Sequence, residues 1–263
     1  MSEAKKESTG RTLLVALLVC LVCSVFVAGS AVGLKSTQVS NRLLDKQRNI
    51  LAIAGLAGPQ TPAAEVQRIF KERIKARVVD LTAGRFSDAQ DADAFDPLKA
   101  AKDPAQSRPL TPEQDLPSIK RRENFSVVYL VEDESGLQTL ILPVRGYGLW
   151  STLHGFLALK KDLQTVEGFG FYQHAETPGL GGEVDNPRWK ALWPNKKVFN
   201  AQGQPEITVI KGSVTPGSAQ AEHQVDGLAG ATLTSKGVNN LLRFWLGPEG
   251  FGPFLAHLRA GGQ

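Results

Sequence analysis

The chain has 263 residues, 42% hydrophobic and 21% charged, with 26 Gly and 15 Pro, a balance that excludes a low-complexity or disordered polypeptide. Its 30 Lys and Arg stand against 26 Asp and Glu for a formal charge of +4, interspersed rather than gathered into a basic stripe, so the charge does not point to nucleic acid. The length accommodates one substantial domain with accessories.

Residues 1–11 are a tail carrying Lys5, Lys6 and Arg11, and residues 12–34 contain no charged side chain. As a helix that run rises about 34 Å, enough to cross a hydrocarbon core of about 30 Å, so it reads as a single transmembrane helix. A cleavable signal peptide competes, because the charged tail and the small residues Ala28 to Ala31 resemble one. The apolar run is longer than the usual signal core of about 7 to 15 residues, which favours the anchor. Lipoprotein processing at Cys20 or Cys23 is a third reading, opposed by the bulky Val19 and Val22 that precede them. These two cysteines sit mid-run and read as small hydrophobes without redox or metal chemistry. Lys35, Arg42, Lys46 and Arg48 balance the charges on the other side, so the charge does not orient the span.

Residues 35–83 read as a helical linker. Val39, Leu43, Leu44, Ile50, Leu51 and Ile53 give a helical period over 37–56, and Val66, Ile69, Phe70, Ile74 and Val78 predict a second helix over 63–78. Residues 84–123 turn polar, with Pro97, Pro104, Pro109, Pro112 and Pro117, and read as a long loop or insertion. The main sheet is expected to begin near Phe125, within a domain spanning 124–263. Strands are predicted at 125–131 and 137–144 around a Glu-Asp-Glu-Ser-Gly turn, then at 156–160, 166–173 and 206–211. Helices are predicted at 187–193, 235–246 and 250–259. The fold class is α+β, an antiparallel or mixed sheet flanked by helices. With no Gly-x-Gly-x-x-Gly after a strand and no Walker loop, direct NAD or ATP binding is not expected. His154, His174, His223 and His257 lack metal-ligand spacing, and no metal is expected.

Three segments concentrate the chemistry. Asp226-Gly227-Leu228-Ala229-Gly230-Ala231-Thr232-Leu233-Thr234-Ser235 precedes a helix whose Val238, Leu241, Leu242 and Trp245 repeat at helical steps, placing Thr232 and Thr234 at its entrance. Hydroxyls there suit capping, and the same N–H groups and dipole suit a phosphate. Gly146-Tyr147-Gly148-Leu149-Trp150-Ser151-Thr152 offers glycine-rich backbone with aromatic faces. Glu176-Thr177-Pro178-Gly179-Leu180-Gly181 offers a turn with a carboxylate. Individually each also reads as ordinary core or turn; Asp226 reads equally as an Asx turn before Gly227 or as a residue that orients the loop or binds a divalent ion during cofactor attachment.

In order and spacing these segments resemble the FMN-binding domain of the C subunit of the sodium-translocating NADH:ubiquinone reductase. The 42–51 stretch, Arg-Leu-Leu-Asp-Lys-Gln-Arg-Asn-Ile-Leu, and Gly168-Phe169-Gly170-Phe171 through Gly181, Trp189 and Trp193 are similar to that family too. The resemblance covers the anchor and most of residues 36–247. It implies that a membrane flavin transferase moves FMN from FAD onto the last Thr of a Ser-or-Thr-Gly-Ala-Thr motif, here Thr232, as a phosphoester. Ala229 stands where Ser or Thr is usual; Thr234 and Ser235 are the alternative hydroxyls. The expected flavin-binding residues are Gly148, Leu149, Trp150, Ser151, Thr152, Glu176, Thr177, Gly179, Leu180, Lys211, Asp226, Gly230, Ala231 and Thr234. Of these, Leu149, Trp150, Thr177 and Leu180 are expected on the ring, Glu176 as a polar partner and Lys211 near the phosphate. The resemblance further implies a complex of six subunits in the bacterial inner membrane, taking electrons from NADH to ubiquinone and exporting sodium, with the flavin domain periplasmic. The G subunit of the Rnf electron-transport complex shares the anchor and the flavin-threonine motif, and a flavin-free membrane-anchored module is the reading of another class.

Overall fold

The structure is a computed structural model that describes residues 8–262. Contacts divide the chain into two units, Met1–Asp45 and Lys46–Gln263. Helix α1 (Thr9–Ile53) begins in the first. There Leu13, Leu17, Val25, Phe26 and Val32 are exposed, and apolar side chains occur on every side of the helix. A helix that is apolar all round has no face suited to water, and this one has the length and hydropathy of a membrane span.

The second unit holds the end of α1, then α2 (Ala63–Arg73), β1 (Ile74–Asp80), β2 (Arg85–Phe86), α3 (Pro97–Ala100), β3 (Ser107–Pro109), β4 (Arg121–Glu123) and β5 (Phe125–Asp133). There follow β6 (Gly136–Tyr147), β7 (Thr152–Lys160), β8 (Val166–Gln173), α4 (Pro187–Lys190), β9 (Thr208–Val209), β10 (Gln224–Val225), α5 (Thr232–Leu246) and α6 (Gly252–Arg259). Six strands form an antiparallel sheet in the order β2-β1-β5-β6-β7-β8, the expected α+β architecture.

The two-residue period of β5 sorts its side chains between two cores. Val128 and Leu130 face the larger one with Leu140, Leu142, Leu157, Phe169 and the buried stripe of α5. Val127, Tyr129 and Val131 face the smaller one with Ile141, Phe156 and Ile50 from the end of α1. Each such fully buried apolar side chain contributes roughly 1.5–3 kcal/mol relative to exposure. Gly168 makes room for that helix end, since a Cβ there would lie 2.3 Å from the Ile53 carbonyl oxygen.

The structure corrects the expectations for three segments. The helix expected over 63–78 stops at Arg73, and residues 74–80 are the strand β1, paired with β5 from Ile74↔Val131 to Asp80↔Phe125. A spacing of four, as between Phe70, Ile74 and Val78, serves a helix face and a strand face equally. The sheet therefore begins before Phe125. The 84–123 segment is not a bare loop: it supplies β2, α3, β3 and β4. At its end Arg122 and Glu123 are buried, Arg122 donating to the Glu249 carbonyl (2.7 Å) and the Thr82 hydroxyl (3.1 Å). Burial pulls the Arg122 pKa down to about 10, while Glu123 pairs with Arg145 of β6 through two hydrogen bonds. The strand expected over 206–211 contracts to β9, which pairs in parallel with β10.

Candidate functional site

Helix α5 is the spine of the site. Val238, Leu241, Leu242 and Trp245 are buried, as their spacing predicts. Two glycines let the helix meet β6 almost backbone to backbone: a Cβ on Gly237 would lie 2.4 Å from the Tyr147 carbonyl oxygen, and one on Gly146 would lie 2.6 Å from the Leu241 Cβ. Farther along, the Trp245 indole donates to the Arg145 carbonyl at 2.7 Å. This seating brings the first turns of α5 to the turn between β6 and β7.

On one side of the α5 entrance, Glu176 gathers the chain. It is buried, and its Oε1 accepts the N–H groups of Leu149 (3.1 Å), Trp150 (2.9 Å) and Ser151 (3.3 Å). Its Oε2 accepts the Thr234 hydroxyl at 2.7 Å. Burial alone would raise this carboxyl's pKa, but the Thr234 hydroxyl and the Trp150, Leu149 and Ser151 amides outweigh it and hold it below the ordinary glutamate range. Only glycine fits around the carboxylate, since a Cβ on Gly148 would lie 2.6 Å from Oε1 and one on Gly181 would lie 2.6 Å from Oε2. The result is a cradle of about 170 Å³ lined by Leu149, Trp150, Thr177, Leu180, Gly230 and Ala231, with Glu176 and Thr234 at its base. Leu149, Trp150 and Leu180 remain exposed at its rim.

The other side is a wider cleft of about 710 Å³ that includes Lys211, Asp226, Gly230, Thr232, Ser235 and Lys236. Asn239 on α5 fixes its wall by accepting the Val209 N–H (2.7 Å) and donating to the Val209 carbonyl (2.8 Å). Asp226 Oδ1 accepts the Val214 N–H at 2.8 Å, and its carbonyl accepts the Trp189 indole at 2.9 Å. It therefore braces two loops against each other instead of making a local turn before Gly227. Lys211, two residues beyond β9, and Lys236 are exposed at the cleft.

The two sides meet at Thr232 and Thr234. The capping role available to these hydroxyls is not used: Ala231 occupies the N-cap position, and no side chain among the described residues caps α5. Ser235 is the first amide of the helix to find a backbone acceptor, the Ala231 carbonyl at 3.0 Å, which leaves the earlier N–H groups open at the helix entrance. Thr234 is fully buried with its proton directed at Glu176, whereas Thr232 is exposed on the cleft and its hydroxyl makes no hydrogen bond among the described residues.

The structure thus brings Leu149, Trp150, Glu176, Thr177, Leu180, Ala231 and Thr234 together on one side, Lys211, Asp226 and Thr232 on the other, and Gly230 on both. Gly148, Ser151, Thr152 and Gly179 line neither: Ser151 accepts the Ala175 N–H at 2.7 Å, Thr152 opens β7 opposite Tyr147, and Gly179 makes an exposed turn at φ +75°. The carboxylate of Glu176, expected to meet the flavin, has both oxygens engaged by the protein. Lys236 and Asn239 were not singled out from the sequence, although Lys236 follows Thr232 by one helical turn, a spacing that puts both on one face.

Residues 148–247 match the family model described as the FMN-binding domain. The C subunit of the Na(+)-translocating NADH-quinone reductase of Pseudomonas aeruginosa is 69% identical over 258 residues, covering 98% of this chain and 99% of the relative. The chain belongs to this C-subunit family, NqrC. The NqrC of Yersinia pestis is 52% identical over 256 residues, covering 97% of this chain and 95% of its own. The crystal structure of Shewanella oneidensis NqrC shares the fold at a TM-score of 0.76 with 35% identity, covering 84% of this chain and 99% of that one. Membership in the NqrC family decides against the G subunit of the Rnf complex, and it joins an FMN-binding domain to an N-terminal apolar helix of membrane-spanning length.

Proposed function

We propose that this chain carries FMN as a phosphoester on Thr232 and acts as an electron carrier in a membrane complex that passes electrons from NADH to ubiquinone and exports sodium from cytoplasm to periplasm. The complex has six subunits, a flavin transferase loads the chain, and the flavin domain lies on the periplasmic side of the bacterial inner membrane, tethered by a single span. The observation that carries the reading is the contrast at the α5 entrance: Thr232 offers an exposed, uncommitted hydroxyl beside two lysines, whereas the Thr234 hydroxyl is buried and committed to Glu176.

The residues fit the group chemically. An apolar cradle suited to a flat ring adjoins an open polar cleft suited to a phosphate, and Gly230 stands between them. A side chain on Gly230 would press on Leu180, its Cβ falling 2.9 Å from Leu180 Cδ2, in a residue already at φ +69°. Once bound, the flavin supplies the redox chemistry. The chain's own residues do the remaining work: Leu149, Trp150 and Leu180 cover the ring and exclude water, while Lys211, Lys236 and the open amides of α5 offset phosphate charge. Asp226 keeps the wall of the cleft in place. In loading, the Thr232 Oγ–phosphorus bond forms as the FAD pyrophosphate breaks; AMP leaves, and the hydroxyl proton passes to a base of the transferase.

Expression beside the transferase, followed by fluorescence of the denatured chain on a gel and peptide mapping, tests the reading. FMN on the peptide containing Thr232, and none in Thr232→Leu, is the expected result. Absence of flavin from the wild-type chain while a control acceptor is loaded would leave a flavin-free membrane-anchored module.

A further inference from the structure

We infer that Glu176 is the positioning residue of the flavin cradle, a carboxylate clasp that holds Leu149 and Trp150 in place before any flavin arrives. The inference rests on the proposed flavin site and deepens it. The motif around Thr232 specifies where the flavin is attached; four hydrogen bonds to one side chain decide the shape of the surface its ring meets.

The geometry departs from that of a flavin ligand. Three successive N–H groups converging on one oxygen make a small anion nest, and in this protein the nest is filled by Glu176 Oε1. Those amides are therefore unavailable to the phosphate, and the flavin contacts of this loop reduce to the exposed side chains of Leu149 and Trp150. The second oxygen ties the same loop to α5 through Thr234, so one carboxylate links three stretches that lie far apart in sequence.

A hydroxyl 2.7 Å from a carboxylate is also the arrangement of a nucleophile with its general base. Burial decides between the two readings. Thr234 is fully buried, and a Cβ on Gly181 would come within 2.5 Å of its Oγ1, so no phosphate can approach that oxygen. The pair is a structural tie, and by engaging Thr234 it leaves Thr232 as the accessible acceptor.

The test compares the full-length wild type with Glu176→Leu, Glu176→Gln and Thr234→Val, purified in detergent with and without loading by the transferase and FAD. Without flavin, hydrogen exchange of the Leu149, Trp150 and Ser151 amides is expected to quicken about tenfold or more in Glu176→Leu. With flavin on Thr232, iodide quenching per flavin is expected to rise at least about threefold in that variant and less in Thr234→Val, which loses one bond. Glu176→Gln should remain near wild type, because its amide oxygen can accept the three N–H groups while its NH₂ donates to the Thr234 oxygen. Unchanged exchange and quenching in both Glu176→Leu and Thr234→Val, or a Gln variant as impaired as the Leu variant, overturns the clasp. If Glu176→Leu does not melt cooperatively, Thr234→Val decides. If the wild-type chain accepts no flavin, the site proposal fails, while the exchange experiment still judges the clasp.

Discussion

The two sides of the α5 entrance are built on opposite plans. Around Glu176 both carboxylate oxygens are paired before a ligand appears: they accept four hydrogen bonds, and glycines at 148 and 181 leave room for nothing else. Around Thr232 the hydroxyl, the first amides of the helix and two lysine heads face an open cleft. The saturated side supplies shape and the unsaturated side supplies chemistry. A saturated polar cluster is rigid because each member would lose its partner by moving, while an unsaturated one gains by meeting an anion.

Substitutions on each side separate the two plans. The largest effect is expected from Thr232→Leu, complete loss of gel fluorescence; being exposed, the site should shift unfolding free energy by no more than about 0.5 kcal/mol in urea denaturation. Next come the glycines. Gly181→Ala on the saturated side and Gly227→Ala on the open side, where a Cβ would lie 2.2 Å from the Ile210 carbonyl oxygen, should each cost about 2–3 kcal/mol. Gly179→Ala meets open space and only a left-handed backbone, so about 1 kcal/mol is expected. Joint replacement of Lys211 and Lys236 by Gln should slow flavin loading about tenfold at low ionic strength, and the gap should close near 0.5 M salt as the charges are screened. A loading rate indifferent to salt would sink the phosphate role of the lysines.

Acid titration separates the saturated side from its surroundings. His154, half-buried near Arg145, is lowered to about 4, first by burial and then by the Arg145 charge. A depressed folded pKa means the unfolded chain takes up the proton first, so stability is full above about 6.5 and declines as pH falls toward 4. Allowing for solvent screening, roughly 1 kcal/mol should be lost over that window, and His154→Gln should flatten it in urea midpoints. Glu176 follows the same sign at lower pH. Its folded pKa lies below the ordinary value of 4.5, so its contribution is present above that value and disappears as pH falls through the folded one. Flavin emission should respond to the second step and not the first.

Much of this was legible in the residues. The β5–β6 hairpin showed itself through two runs rich in Val, Leu and Ile around a polar turn, and α5 through its four-residue stripe. The assignment of Thr232 came only from resemblance and stands as a proposal, since Gly-Ala-Thr alone describes any helix entrance. Strand β1 was hidden because Ile74 and Val78 satisfy both periods at once. The clasp was hidden for another reason: Glu176 meets partners 25 to 58 residues away, and no local pattern encodes such contacts. Asp226 allowed an Asx turn, a metal ligand or a loop-orienting role, and no local pattern could name its partner Val214, 12 residues upstream. Lys236 needed only the helical period and could have been found.

The glycines at 146 and 237 carry one more consequence. Where Gly237 of α5 rests on the Tyr147 carbonyl and Gly146 of β6 on the Leu241 Cβ, the spacing from the proposed attachment point to the cradle is set by main-chain and Cβ atoms. Side-chain rotamers exchange within nanoseconds, but such a contact has none to exchange. On the proposed reading, a flavin held at this joint would sit with little positional noise. A larger residue at either position would force α5 away from β6, at a cost in stability like that expected at Gly181 and Gly227.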